Sequence, residues 1–419
     1  MSFEIIAKNQ VTREITLNIP GADVNKIADE MVSDARRKAN IPGFRKGKVP
    51  ASIIRQRMGD AIDQDARSSA ARQAAAEAVK DIENVIFTGE IQIAEMRTED
   101  GGMVAKIEVE IAPTIEVSNY KGLEVEVTEA AVTDKMVEDK IEEMRKNSAV
   151  LEPVEDRKNV EEGDSVTVEF SNVSEAAEDL AHDGNRMIHV GDGDLNADWE
   201  KALIGQEVDS TVHLHAVIND KDADADAKII EIKRRSLPKL DDDFARDQDA
   251  ENLDELREKT RKMLEESESH RRDSDIDDAL LLKLREAHAT DIPENYVRER
   301  AAYAIKLQFE QMLRQRLNDN MIDYLRQNIR EEELNEYRAD YHNEVILNAV
   351  AAAENIEVSR EDVLAEVKEW LPDMNDQQLE QWLRSQQSYK FTEEQVKRDK
   401  ALKLIKESAK ITDKPRSAE

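Results

Sequence analysis

A cluster of cations is the feature of this sequence best suited to chemistry. Between Ala35 and Gly59 there are eight Lys or Arg residues and no Asp or Glu. Residues 1–60 carry eleven basic and seven acidic groups, whereas the whole chain carries −33, which leaves −37 for the remainder. Clustered cations bind polyanions, because neutralising phosphates releases counterions into solvent. The sequence therefore predicts a polyanionic partner that meets this stretch and is repelled elsewhere.

Two helices are expected to hold the cluster. A hydrophobic stripe predicts one helix with Asp23 as its N-cap and an end near Lys38. An alanine-rich stretch predicts a second, long helix over about 51–82. Pro42 and Pro50 stop both helices from running through. We therefore expect the cations on a short loop at a helix–helix tip.

The patterning along the chain changes three times and predicts an α+β multidomain protein. Residues 1–19 alternate as a strand, and the first 112 residues combine strands with the two helices. After residue 154 short strands dominate, and after residue 241 the chain is almost wholly helical. The predicted domains are an α+β domain (1–112), a linker (113–153), a small β-rich domain (154–240) and a helical region (241–419).

Composition narrows the class of protein. The chain has 419 residues, of which 37% are charged and 39% hydrophobic, so it is too apolar and too periodic to be disordered. It has no cysteine, which excludes disulfides and thiolate chemistry. No apolar run approaches the roughly 18 residues that span a bilayer, and no secretory leader is seen. We expect a soluble, cytoplasmic protein without a membrane partner.

The loop sequence resembles a known family motif. Gly43-Phe-Arg-Lys-Gly-Lys-Val-Pro50 is similar to the ribosome-docking loop of the bacterial trigger factor family, G-F-R-x-G-x-x-P. Segments near residues 113–123, 162–166, 237–241 and 354–362 are similar to later parts of the family in the same order. The resemblance implies an N-terminal ribosome-binding domain, an FKBP-like prolyl isomerase domain and an elongated all-α chaperone body with arms.

The resemblance implies that the loop docks on the ribosome. Cations would meet rRNA phosphates and acidic groups of a large-subunit exit-site protein, and Phe44 would add one apolar contact. Arg45 is the strongest candidate for a specific contact, because its planar fork binds bidentately. The alternative is that Phe44 packs between the two helices and the charges are merely solvated. The predicted ribosome-binding residues are Gly43, Phe44, Arg45, Lys46, Gly47, Lys48 and Pro50.

The middle domain departs from the family. The resemblance implies an apolar, aromatic pocket that twists a prolyl bond, yet Phe170 and Trp199 are the only aromatic residues from Glu155 to Leu240. The pocket candidates are Phe170, Ile188 and Trp199, and packing in the core is the alternative for Trp199. We therefore expect weak or absent isomerase activity, with no confident catalytic residue.

Ligand and cofactor motifs are not evident. The acidic segment Asn219–Asp226 has calcium-loop spacing, but Ala225 stands where such loops need glycine, so a solvated acidic loop is the expectation. His213 and His215 share one strand face without a third metal ligand. No Walker, H-E-x-x-H, G-x-S-x-G or dinucleotide motif is present. We expect neither a metal nor a cofactor, and no dependence on ATP.

The helical region supplies candidates for binding unfolded chains. Methionine and aromatic residues adapt to irregular apolar partners, which suits varied clients. The alternative is that each stripe is the buried seam of a helix pair. The client-binding candidates are Phe309, Met312, Leu313, Met321 and Tyr324.

These expectations combine into one functional hypothesis. The chain is expected to be an ATP-independent, ribosome-associated chaperone whose partners are the ribosome and nascent or unfolded polypeptides, with a homodimer plausible off the ribosome. The first alternative is a peptidyl-prolyl isomerase whose other domains recruit substrate. A second is a plain RNA-binding module, which would bind naked RNA with steep salt dependence and would not suppress aggregation.

Overall fold

The computed structural model divides the chain into two units. One holds Met1–Thr128 and Ser274–Lys414, and the other holds Glu129–Asp273 and Pro415–Glu419. The residues that the structure describes are 2–40, 42, 44–45, 47–86, 93–99, 102–177, 181–218, 221–314 and 316–416.

Strands and helices make up both units. The strands are β1 (Ser2–Ala7), β2 (Thr12–Ile19), β3 (Val85–Ile86), β4 (Ile93–Glu99), β5 (Gly102–Ile111), β6 (Glu124–Thr128), β7 (Val150–Pro153), β8 (Asp164–Ser171), β9 (Gly184–His189), β10 (Thr211–Ile218), β11 (Lys221–Ser236) and β12 (Lys410–Lys414). The helices are α1 (Gly21–Lys38), α2 (Ala51–Ala78), α3 (Asp134–Asn147), α4 (Ala197–Leu203), α5 (Asp242–Asp247), α6 (Leu253–Ala287), α7 (Glu294–Leu313), α8 (Asp319–Gln327), α9 (Glu331–Ala353), α10 (Arg360–Trp370), α11 (Asp376–Leu383) and α12 (Gln386–Ser408).

A five-stranded antiparallel sheet forms the N-terminal part of the first unit. β2 pairs with β1 on one side and with β5 on the other, and β3 and β4 both pair with β5. The expected single strand over residues 1–19 is wrong, because the chain reverses after β1. The side-chain oxygen of Asn9 accepts hydrogen bonds from the N–H of Val11 (3.0 Å) and of Thr12 (2.6 Å). An asparagine bonded in this way stabilises a tight turn.

Helix α2 covers one face of that sheet. Ile15, Leu17 and Ile107 are fully buried in a core that they share with the alanines of α2. Alanine allows this close approach because its side chain is small and loses no rotamer entropy in a helix. α2 ends at Ala78, and a short 3₁₀ turn follows, so the expected helix end at residue 82 is wrong. Asp23 is not an N-cap, because α1 already begins at Gly21.

The C-terminal helices complete the first unit. α9 has buried residues along most of its length, and it packs against α7 and α12. Strand β6 pairs in parallel with β12, which brings residues 410–414 against residues 124–128. Val125 and Val127 of β6 are buried in the core that Ile276 and Leu280 also enter.

The second unit is built on a sheet in the order β10-β11-β8-β9, with β7 also paired to β11. The expected acidic loop up to Asp226 is wrong from Lys221 onward, because these residues begin the 16-residue strand β11. Aspartates alternate there with Ala223, Ala225 and Ala227, which are buried. This period of two is that of a strand with one face in the core.

The predicted fold class is confirmed. An α+β N-terminal part, a β-rich middle and a helical C-terminal part follow one another as expected. The exact domain boundaries at residues 112, 153 and 240 stay a prediction.

Candidate functional site

The cationic loop lies between α1 and α2, as the sequence predicts. Gly47 has a φ of +80°, a backbone conformation that glycine adopts without steric cost. The N–H of Lys48 donates a hydrogen bond to the carbonyl oxygen of Arg45 at 2.9 Å. These two features make a tight turn in the middle of the loop.

The base of the loop is anchored in a small core. Val49 is fully buried and shares this core with Val32 of α1 and Ile54 of α2. The guanidinium Nε of Arg36 donates a hydrogen bond to the carbonyl oxygen of Val49 at 2.9 Å. Pro50 precedes α2 with a φ of −60°, the value its ring imposes. The loop is therefore held firmly where it leaves the two helices.

The tip of the loop is open to solvent. Phe44 is 40% exposed, and Arg45 and Lys48 are exposed as well. Neither of these two cations pairs with an acidic group in the described part of the chain, whereas Arg37 and Arg55 on the flanking helices pair with aspartates. The loop thus presents the phenyl ring of Phe44 and two cations, which have no acidic partner among the described residues, to solvent.

These observations separate the two interpretations of Phe44. The alternative in which its ring packs between the helices is wrong in this structure, because the ring is exposed. Gly43 and Lys46, two other predicted members of the site, lie outside the described residues, as does Ile41. Whether the loop contacts a ribosome stays a prediction.

The client-binding candidates lie on α7 and α8, and all five are exposed. The exposed fractions are 38% for Phe309, 66% for Met312, 46% for Leu313, 46% for Met321 and 62% for Tyr324. The alternative of a buried seam therefore does not apply to them. It does apply to the first half of α7, where Val297 and Ala301 are fully buried against α9.

Polar contacts connect α8 to α7. The guanidinium of Arg326 on α8 forms an ion pair with Glu299 on α7 at 2.6 Å. In the segment between the two helices, the backbone N–H of Leu317 donates a hydrogen bond to the carboxylate of Glu310 on α7 at 3.0 Å. Sequence reasoning missed Tyr303, which is 59% exposed on α7. Its position four residues before Leu307, an exposed apolar side chain of the same helix, was the available signal.

The three isomerase-pocket candidates come together, but as a filled core. Phe170 on β8, Ile188 on β9 and Trp199 on α4 are all buried in one hydrophobic cluster. The rings of Phe170 and Trp199 lie 6.2 Å apart between centroids. The indole Nε1 of Trp199 is buried, and no described residue accepts its hydrogen bond. This packing matches the core alternative for Trp199.

A cavity of about 390 Å³ lies elsewhere in the second unit, between α3 and the ends of β9 and β11. Its lining is polar and mostly acidic. Asp192 joins Lys146 and Arg235 there. Partial desolvation raises the pKa of its carboxyl, but these two cations lower it by more, so it lies below the ordinary value. An acidic cavity of this kind does not desolvate a prolyl bond.

Histidine and aspartate side chains form cross-strand pairs on β10 and β11. His213 Nδ1 lies 2.9 Å from a carboxylate oxygen of Asp226, and His215 Nδ1 lies 2.7 Å from one of Asp224. The hydrogen bond with Asp224 raises the pKa of His215, and the bond with His213 lowers the pKa of Asp226. These pairs stabilise a hairpin.

Neither a metal site nor a membrane span is found among the described residues. No group of three or more His, Asp or Glu is placed there to hold a metal ion. The calcium alternative is wrong for Asp222, Asp224 and Asp226, because they alternate along a strand; Asp220 lies outside the described residues. No described helix has the length and apolar character needed to cross a bilayer.

Comparison with known proteins agrees with the loop motif. A family model described as bacterial trigger factor protein matches residues 1–144, and one described as the trigger factor C-terminus matches residues 252–407. Residues 145–251 lie between these two matches.

Relatives from several bacteria match along most of the chain. A trigger factor of Halalkalibacterium halodurans is 32% identical over 84% of this chain and 86% of its own length. One of Clostridioides difficile is 30% identical over 88% and 90%, and one of Geotalea daltonii is 27% identical over 99% and 98%. A solved structure from work on promiscuous substrate recognition by the trigger factor chaperone is 20% identical over 97% of this chain and 99% of its own, with a TM-score of 0.48.

Proposed function

The chain belongs to the bacterial trigger factor family of ribosome-associated chaperones, and from that premise we propose that it docks through the loop at residues 42–50 and holds unfolded polypeptides without using ATP. The observation that carries this proposal is the exposed tip on an anchored base. Phe44 and Arg45 point into solvent, while Val49 and Arg36 fix the loop behind them.

The positive charge at the tip of the loop supports rRNA phosphates and acidic protein groups as the docking partners. Arg45 and Lys48 have no described acidic partner, so binding would not first have to break an ion pair. The strongly negative remainder of the chain would repel rRNA, which favours docking through the loop. We place this activity in the cytoplasm, where ribosomes translate.

The exposed side chains of α7 and α8 are the proposed client surface. Met312 and Tyr324 are the most exposed of the candidates, and neither fills a core in the first unit. Soluble proteins rarely expose many large apolar side chains together unless these bind something. Unfolded segments would bury them. The same surface is our proposal for contact within a homodimer off the ribosome.

A ribosome co-sedimentation experiment tests docking. The Phe44→Ala/Arg45→Ala variant should lose at least tenfold in affinity for isolated ribosomes, with an unchanged melting temperature, because both side chains are exposed. Met96→Ala/Arg97→Ala is the matched control: it removes one exposed arginine and one exposed apolar side chain from β4, outside the cationic stretch. Undiminished binding by the loop variant, or an equal loss in the control, would contradict the proposal.

A further inference from the structure

Strand β1 is a sheet edge that exposes hydrophobic side chains. All six of its residues are exposed, including Phe3 and Ile5 at 37% each and Ile6 at 47%. β1 pairs with β2 on one side, and no described strand pairs with its other side. Natural edge strands usually carry charges or proline that prevent further pairing. Glu4 is the only charged residue here, and there is no proline.

The hydrogen-bond pattern shows which backbone groups of β1 face away from β2 and meet no described strand. The N–H of Lys8 donates to the carbonyl oxygen of Thr12 at 3.1 Å, just beyond the paired residues Ala7 and Arg13. Bonded and non-bonded pairs alternate along an antiparallel ladder. The even-numbered residues of β1 therefore bond to β2. Phe3, Ile5 and Ala7 direct their N–H and C=O groups away from β2.

The side chains of these residues continue the core of the sheet. Phe3 lies opposite Leu17, and Ile5 lies opposite Ile15. Both partners on β2 are fully buried, whereas Phe3 and Ile5 lie at the margin of the core and stay partly uncovered. An additional strand could therefore bond to the outward main-chain groups of β1 and cover the side chains of Phe3 and Ile5 at the same place.

We propose that the free edge of β1 binds an extended segment of an unfolded polypeptide by strand addition, with apolar side chains of that segment against Phe3 and Ile5. The proposal rests on the proposed chaperone function and adds a second client site, remote in sequence from α7 and α8. Main-chain hydrogen bonds accept any sequence, and the apolar row selects segments that favour strands.

A second copy of this chain is the competing occupant, and the size of the edge disfavours it. A six-residue strand offers far less contact than the total of about 1,200 Å² that stable interfaces bury. An unfolded segment can bind through a short contact of this kind, because main-chain hydrogen bonds along one strand supply it.

Amide hydrogen exchange on the full chain tests the proposal, with reduced and carboxymethylated α-lactalbumin as a permanently unfolded probe. Saturating probe should slow exchange at Phe3, Ile5 and Ala7 at least fivefold and leave Glu4 and Ile6, already bonded to β2, little changed. Ile5→Pro removes one outward N–H and no bond to β2, so it should abolish protection at Phe3 and Ala7. Ile5→Val is the control and should retain it.

The outcomes separate this proposal from the chaperone function. Fluorescence anisotropy reports total binding of the labelled probe. Binding without protection of the three outward amides would overturn strand addition and leave the chaperone function intact. No binding at all would overturn both. Protection that rises with protein concentration in the absence of probe would show that a second copy occupies the edge. Amide protection in the wild-type chain is the deciding observation. Strand addition therefore remains testable even if the Ile5→Pro variant fails to fold.

Discussion

The carboxylate of Glu110 accepts a hydrogen bond from the backbone N–H of Tyr296 at 2.9 Å, and a second from the N–H of Asn295 at 3.0 Å. These N–H groups belong to the first turn of α7, where no intrahelical acceptor exists. Pro293 occupies the N-cap position and has no side-chain acceptor. A glutamate on strand β5 thus caps a helix 185 residues away and joins the sheet to the helical part of the first unit.

Replacing this cap should weaken the first unit. Glu110→Ala removes the acceptor for two N–H groups and a negative charge at a helix N-terminus, so we expect a loss of about 1–2 kcal/mol in the free energy of unfolding. Urea unfolding followed by circular dichroism measures it. Glu116→Ala, an exposed glutamate nearby, is the control and should change stability little. Equal effects of the two substitutions would show that Glu110 acts only through net charge.

Isomerase activity should be weak or absent. Trp199 and Phe170 fill the space between β8 and α4 with their own rings, and the described cavity of the second unit is lined mainly by acidic groups. The full chain should therefore accelerate cis–trans conversion of a proline-containing tetrapeptide only slightly above the uncatalysed rate. A rate typical of the family would show that an apolar pocket opens in solution.

The contribution of Trp199 to the core of the second unit can be measured as a change in the free energy of unfolding. Its side chain is fully buried, so Trp199→Ala should cost about 3–5 kcal/mol and unfold the second unit at lower denaturant concentration. Trp370→Ala is the matched control, because that indole is 42% exposed, and it should cost much less. A mild effect at Trp199, similar to that at Trp370, would argue for an open pocket around the indole.

The pKa of His215 should depend on its hydrogen bond with Asp224. This hydrogen bond raises the pKa of His215 above 6.5, so the stabilisation is fully present below pH 6.5 and is lost as pH rises through the raised value. Asp224→Asn should lower the pKa of His215, measured from its ring resonances by NMR. Asp209→Asn, at an exposed position with a φ of +64°, should leave it unchanged. An unaltered midpoint in Asp224→Asn would rule the pair out as the cause.

Some features of this protein can be predicted from its sequence, because they depend on residues that are neighbours in the chain. The loop at residues 42–50 follows from glycine and proline at fixed offsets between two helical stretches, and turn chemistry is local. The alternation of aspartate with alanine over residues 222–227 is equally local, and its period of two predicts the strand β11 better than acidic content predicts a loop.

The cationic loop, the order of the α+β, β-rich and helical parts, and the family all follow from residues that are close together in the chain. Which apolar side chains are covered depends instead on packing between distant segments. Phe309 and Val297 lie on the same helix, α7. Val297 is buried because α9 packs against it, whereas Phe309 stays exposed. The cap from Glu110 to α7 and the free edge of β1 were likewise invisible, because burial and pairing depend on residues distant in the chain.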